Sequence, residues 1–411
     1  MIKRDFYMKK LIEKQNNGLI KVITGIRRCG KSYLLDPMFK NYLLDNGVGE
    51  SHIIKIELDS IEYENLLEPH NLYEYIDSKI IDDDKYYILL DEIQRVDDFE
   101  SVLNSLLRKN TDIYVTGSNS KFLSSDIITE FRGRSDEIRM YPLSFSEYFS
   151  IYKGSKEDAF NEYMVYGGLP LAVLAKTEDN KIKYIEGQRK RTYTKDVIER
   201  NNIQNEEEFE SLIEVISSSI GSLTNPLKLS NVYKNRDNKS TMTDKTIFNY
   251  IKYMEEAFLV EKSKRYDIKG KKYIDTPYKI YFCDPGIRNS FLNFRQIEET
   301  HLMENIIYNE LKRRGYNVDV GVIEIREKDN RKHVEIDFVC NLGNKKYYIQ
   351  SALNLDSDDK KEQELRPLMN VNDFFKKIVI TKDGVNVWRN DDGITFMNIY
   401  EFLLNEDSLD L

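Results

Sequence analysis

Gly25-Ile26-Arg27-Arg28-Cys29-Gly30-Lys31-Ser32 fits the pattern G-x-x-x-x-G-K-[ST], and its flanks decide how it is read. Leu19-Ile20-Lys21-Val22-Ile23-Thr24 before it is an apolar strand, and a helix is expected after it over residues 31–44. A strand, a glycine turn and a helix start together make a phosphate cradle. The glycines let backbone N–H groups curl around the anion, and the helix start adds positive dipole. Lys31 is placed to reach the β- and γ-phosphates and Ser32 to ligate Mg²⁺. Gly25, Arg28, Cys29, Gly30, Lys31, Ser32 and Tyr33 are therefore the expected nucleotide contacts. Cys29 also reads as a small buried residue of the loop.

From this loop outward the strand and helix signals alternate. Strands are expected at 52–58, 86–90, 112–116 and 137–141, with helices at 72–81, 99–107 and 122–130. That alternation predicts an α/β fold with a parallel sheet covered by helices on both faces. Asp91 and Glu92 follow the apolar strand Tyr86-Tyr87-Ile88-Leu89-Leu90. Asp91 can hold the magnesium shell, and Glu92 can polarise a water for attack on the γ-phosphate. Thr116-Gly117-Ser118-Asn119-Ser120 ends the next strand. Arg132-Gly133-Arg134 precedes the fifth, where either guanidinium could stabilise transition-state charge on a neighbouring copy's nucleotide.

The chain has 411 residues, more than one hydrophobic core holds, so several domains are expected. A net charge of −9 excludes a uniformly basic nucleic-acid coat but not a local basic patch. The three cysteines, Cys29, Cys283 and Cys340, have no metal-ligand or redox spacing, which points to a reducing, cytoplasmic compartment. The N-terminal residues lack the apolar run of a signal peptide, and no stretch is long enough to cross a bilayer, so no membrane partner is expected.

In their order and spacing, these motifs resemble those of an AAA+ ATPase of the ASCE P-loop class, in the branch close to the STAND NTPases. The resemblance implies that the strand ending at Thr116 inserts between the P-loop strand and the Asp91 strand, so that Asn119 or Ser118 orients the attacking water. It implies adenine as the base, and hence ATP with Mg²⁺. Tyr166-Gly167-Gly168-Leu169-Pro170 is similar to the GxP lid motif of STAND proteins, which would put Pro170 on the adenine. Pro142-Leu143-Ser144-Phe145-Ser146-Glu147-Tyr148 and Asp284-Pro285-Gly286-Ile287-Arg288 extend the likeness to a prokaryotic family of ATPases. The implied layout is an N-terminal helix (1–18), a P-loop core (19–143), a helical lid (144–205), a winged helix-turn-helix (206–285) and a nuclease-like α/β domain (286–411).

The winged-helix expectation also rests on residues. Ile247, Ile251, Met254 and Phe258 lie at helical spacing, and Lys262, Lys264, Arg265, Lys269, Lys271 and Lys272 form a basic stretch before the strand 278–282. Lys245, Asn249 and Lys252 are candidates for a DNA groove, the basic hairpin for phosphate. Such modules also bind proteins. In the last region Glu304, Asp337 and Gln350 resemble the acid, aspartate and Glu/Gln-x-Lys strand of the restriction-endonuclease-like fold. The lysine of that pattern falls on Ala352. Lys360 or Lys361 could replace it, and otherwise the site is degenerate.

Three functions follow. The first is an ATP-hydrolysing switch acting on or near nucleic acid, the second an ATP-gated nuclease, the third a scaffold that holds ATP without turnover. ATP, double-stranded DNA, a protein partner and a second copy of the chain are the expected partners.

Overall fold

The computed structural model describes residues 2–118, 133–238, 240–327, 330–384 and 387–411. The expected helix 122–130, Asn119 and Arg132 lie outside them. The chain divides into two compact units, Met1–Pro142 with Glu256–Phe258 and Leu143–Glu255 with Leu259–Leu411.

The first unit is built on a five-stranded parallel sheet of β1 (Ile20–Thr24), β2 (Ile53–Glu57), β3 (Tyr86–Asp91), β4 (Thr111–Gly117) and β5 (Ser135–Arg139), in the order β2-β3-β4-β1-β5. β1, β3 and β4 are buried along their whole length, as strands covered on both faces must be. β4 lies between β1 and β3, which puts the ends of all three beside the P-loop. The chain's parallel α/β class is thus the one expected. Lys21, fully buried in β1, is tolerated because Asp112 on the neighbouring strand pairs with it. The N-terminal helix spans Asp5–Glu13 and buries Tyr7 and Leu11. The helix expected over 31–44 is interrupted. Asp36 is extended (φ −140°, ψ 120°) because the ring of Pro37 disfavours the α conformation in the preceding residue, and helix resumes at Lys40–Asp45.

The second unit begins with helices Phe145–Phe149, Lys156–Tyr166, Pro170–Val173, Glu178–Gln188 and Lys195–Asn201, matching the expected helical stretch. Helices Pro226–Arg236 and Asp244–Glu256 then lead into a hairpin. The strands of this unit form a nine-stranded sheet of β6 (Leu223–Thr224), β7 (Val260–Asp267), β8 (Lys272–Phe282), β9 (Asn317–Glu327), β10 (Asn330–Leu342), β11 (Lys345–Ala352), β12 (Lys376–Thr381), β13 (Trp388–Arg389) and β14 (Ile394–Asn398). Its order is β13-β14-β12-β11-β10-β9-β7-β8-β6. The β7–β8 hairpin, read from the sequence as a wing separate from the last region, joins that region's strands through parallel pairing of β7 with β9. Helix Glu299–Arg313 packs on β8 to β11, and helix Asp358–Met369 packs on β10 and β11.

No helix among the described residues is long and apolar enough to cross a membrane.

Candidate functional site

The loop between β1 and Lys31 is shaped by close packing. Gly25 has φ +150°, and a Cβ there would lie 2.2 Å from the backbone oxygen of Met140, so no side chain fits. Arg28 and Gly30 also have positive φ, which turns the loop toward the helix start at Lys31. Cys29 is fully buried, its Sγ 3.8 Å from the Met140 oxygen, which accords with its reading as a small buried residue. Arg4, which the sequence did not single out, braces the loop from outside by donating to the carbonyls of Cys29 (3.3 Å) and Tyr141 (2.6 Å). Its separation of 25 residues from Cys29 hides it from any motif.

Lys31 is buried and donates to the carbonyls of Gly25 (2.9 Å) and Ile26 (3.2 Å). The amine is thus already presented to oxygens at the centre of the loop, where phosphate oxygens can take over its bonds. Ser32 and Tyr33 are exposed beside it. Asp91 ends β3. Burial pushes its carboxyl above the usual carboxylate range, while hydrogen bonds from Thr116 and Ser32 pull the other way. Ser32, expected with Asp91 as a magnesium ligand from a position 59 residues away, is thus near enough to act on that carboxyl. A hydroxyl and a carboxylate side by side at the loop are the hard oxygen set that fits Mg²⁺.

Glu92 has left-handed backbone (φ 55°, ψ 44°), which turns its side chain out of the strand line. Its N–H donates to Thr116 Oγ1 (2.9 Å), and its carboxylate accepts from Ser118 Oγ (2.9 Å) and from Gln94. Arg27 Nε reaches the same Ser118 hydroxyl at 3.4 Å. Of the two expected sensor residues, Ser118 holds Glu92, while Asn119 is outside the described residues. Thr116 and Gln94 were not assigned roles from sequence. Thr116 ties Asp91 to the Glu92 backbone, and a threonine at a strand end carries no signal for that. Arg134 is exposed just before β5, and its carbonyl accepts from Ile20 N.

In the second unit, Pro170 opens the short helix Pro170–Val173. The glycines before it are clasped by the second signature. Asp284 caps helix Pro285–Phe291 through Ile287 N (3.0 Å) and accepts from Gly168 N (2.6 Å). Asn289 Nδ2 donates to the carbonyls of Met164 and Val165, each at 2.9 Å. A Cβ on Gly286 would fall 2.1 Å from the Tyr166 oxygen. Two motifs more than 110 residues apart thus form one joint.

Burial raises the Asp284 carboxyl to about 6 against the pull of three backbone N–H groups. Its folded pKa lies above the unfolded value of about 3.9, so the folded state binds the extra proton between those values. That contribution to stability is complete below about pH 4 and is lost as pH rises through about 6. The advantage of the wild-type protein over Asp284→Asn is therefore expected to shrink by about 2–3 kcal/mol from pH 4 to pH 7. Paired denaturant titrations across that range measure it.

The nine-stranded sheet gathers the other expected set. Glu304 on helix Glu299–Arg313, Asp337 on β10 and Gln350 on β11 come together, all buried. Asp337 falls where the β9–β10 register shifts between Ile336 and Val339, a bulge that re-aims its side chain. Asp337 N donates to Gln350 Oε1 (3.3 Å), Ser351 N to Asp337 Oδ2 (3.0 Å), and Gln350 Nε2 to Glu364 (2.9 Å). Of the two lysines expected to supply the amine, Lys360 bonds Asn354 instead. Lys279 of β8 supplies it, 2.8 Å from Glu304 and 3.1 Å from Asp337. Ala352 lies in the apolar core. Lys279 escaped the sequence reading because it sits in a strand assigned to the wing.

The basic candidates divide. Lys245 and Lys252 are exposed on helix Asp244–Glu256 and Asn249 is half-buried. Lys264, Lys269, Lys271 and Lys272 are exposed on the β7–β8 hairpin, Lys264 lying 3.5 Å from Asp275 and Lys269 donating to the Glu324 carbonyl (3.0 Å), while Lys262 is paired with Glu255 (2.6 Å) and Arg265 lies 3.6 Å from Glu335.

Residues 17–149 match the model of an AAA domain, and residues 157–298 and 299–402 match two domains of unknown function, DUF8612 and DUF4143. An uncharacterized protein of Haemophilus influenzae is 32% identical over 412 aligned positions, covering 98% of this chain and 99% of that protein. Uncharacterized protein MJ1544 of Methanocaldococcus jannaschii is 27% identical, covering 89% of this chain and 80% of its own length. Among solved structures, the Walker-type ATPase PABY2304 of Pyrococcus abyssi has a TM-score of 0.50 at 15% identity, covering 71% of this chain and 96% of that one. That likeness is one of fold.

Proposed function

We propose that this chain, which belongs to the family of that Haemophilus influenzae protein, binds and hydrolyses ATP as an AAA+ switch acting on or near nucleic acid. One observation supports the reading above the others: Asp91, Thr116, Glu92 and Ser118 form a continuous line of hydrogen bonds across the ends of β3 and β4, and Ser32, just after the loop that follows β1, acts on the Asp91 carboxyl. That line supports a reading in which a phosphate loop, a metal-type oxygen pair and an oriented carboxylate share the ends of these neighbouring strands.

In this reading Lys31 leaves the Gly25 and Ile26 carbonyls and binds the terminal phosphates. Ser32 and Asp91 would hold Mg²⁺, which neutralises phosphate charge when bound. Glu92 accepts the proton of the attacking water, held in place by Ser118 and Gln94. Asn119 remains a candidate for orienting that water, and Arg132 or Arg134 for acting on a neighbouring copy. The exposed lysines on helix Asp244–Glu256 and on the β7–β8 hairpin support contact with DNA phosphate.

Phosphate release from ATP by the purified chain with Mg²⁺, with and without double-stranded DNA, tests the proposal. The expected result is steady turnover that DNA raises, the increase falling steeply with salt as phosphate contacts are screened. ATP binding without turnover under either condition would leave the scaffold reading in its place. Plasmid nicking that disappears in Asp337→Ala would favour the gated nuclease.

A further inference from the structure

The Glu304–Asp337 cluster has the oxygen set of a divalent-cation site, but a cation of the chain's own already stands in it. Lys279 Nζ lies within hydrogen-bond distance of Glu304 Oε1 and Asp337 Oδ1 at once. The three side chains are 7%, 8% and 12% exposed. Two carboxylates buried this closely repel unless a positive charge lies between them.

The surrounding atoms are committed to the same arrangement. Glu304 Oε1 also accepts from Tyr281 OH (2.6 Å), and Asp337 Oδ2 accepts from Ser351 N. Gln350 brings a neutral carboxamide and donates its Nε2 hydrogen to Glu364, while the Lys279 ammonium faces Glu304 and Asp337 directly. An ammonium and a hard divalent cation compete for the same oxygens, Glu304 Oε1 and Asp337 Oδ1. The ammonium is tethered to β8, so it competes as an intramolecular ligand and has no dilution to overcome.

We propose that Lys279 is a built-in cation that keeps a divalent-metal site closed, and that Glu304 and Asp337 take up Mg²⁺ or Mn²⁺ only when that ammonium is removed. The proposal is independent of the nucleotide loop. It makes the C-terminal sheet metal-free in its resting form even though its acids are placed for a metal.

Counting bound Mn²⁺ by electron paramagnetic resonance on the full chain, without nucleotide, tests it. Lys279→Met keeps the apolar stem and deletes the charge. It is expected to bind one more Mn²⁺ per chain than wild type, which takes up none at this position. Adding Asp337→Asn should abolish the extra ion. Lys279→Gln, which keeps a donor in the same place, serves as the second variant should Lys279→Met lose its circular-dichroism signature of folding. Equal Mn²⁺ counts in wild type and a folded Lys279 variant would overturn the proposal. So would Mn²⁺ uptake by wild type that disappears in Asp337→Asn, whatever the Lys279 variants do.

Discussion

Glu92→Gln is expected to bind ATP as wild type does while steady-state phosphate release falls about a hundredfold or more, the range for losing a general base. The substitution is nearly isosteric. The side-chain oxygen can still accept from Ser118 Oγ, and the backbone N–H keeps Thr116. What is removed is the capacity to take a proton from water. A drop in turnover with unchanged nucleotide affinity assigns the loss to the chemical step. Isothermal titration with ATP and Mg²⁺, alongside a phosphate-release assay, separates the two. Equal turnover in the variant would remove Glu92 from that role and direct attention to Asn119.

Lys31→Ala acts one step earlier. Lys31 Nζ is buried and spends its protons on two loop carbonyls, which backbone flexing or water can satisfy when the amine is gone. The fold should therefore survive, and circular dichroism should superpose on wild type. The charge-assisted bonds to phosphate disappear. At about 1.5–3 kcal/mol for each such bond, ATP affinity falls at least about a hundredfold and turnover becomes undetectable. A variant that still takes up ATP with wild-type affinity would mean that the loop at 25–32 does not hold the phosphates.

The two variants together discriminate among the functional readings. Loss of binding in one and loss of turnover alone in the other is the pattern of a hydrolysing switch. Binding lost in Lys31→Ala, with no turnover to lose in wild type, is the pattern of a scaffold. The Lys279 experiment is silent on both, so the nucleotide site and the C-terminal cluster can fail separately.

Much of the first unit was legible because its signals are local. Tyr86 to Leu90 is a continuous apolar run that only a strand buried on both faces explains, and Gly25 to Ser32 carries its geometry in its glycines. Local signals also mislead locally. The helix after the loop reads as continuous until the constraint that Pro37 places on Asp36 is weighed. The second unit was harder. The helical spacing of Ile247, Ile251 and Met254 made the helix around them readable, but nothing in the basic hairpin shows that β7 pairs with β9, some fifty residues on.

The amino-acid order by itself therefore determined the parallel α/β core, the phosphate loop and the identity of the acids that follow β3 and lie on β10, since each depends on neighbours a few residues apart. Only the tertiary structure decided which distant groups satisfy them: Thr116 for Asp91, Asp284 for Gly168, Lys279 for Glu304 and Asp337. The reason is physical. A buried charge or N–H demands some partner, but the demand is met by whichever element the packing of the sheet brings within about 3 Å, and sequence spacing does not record that.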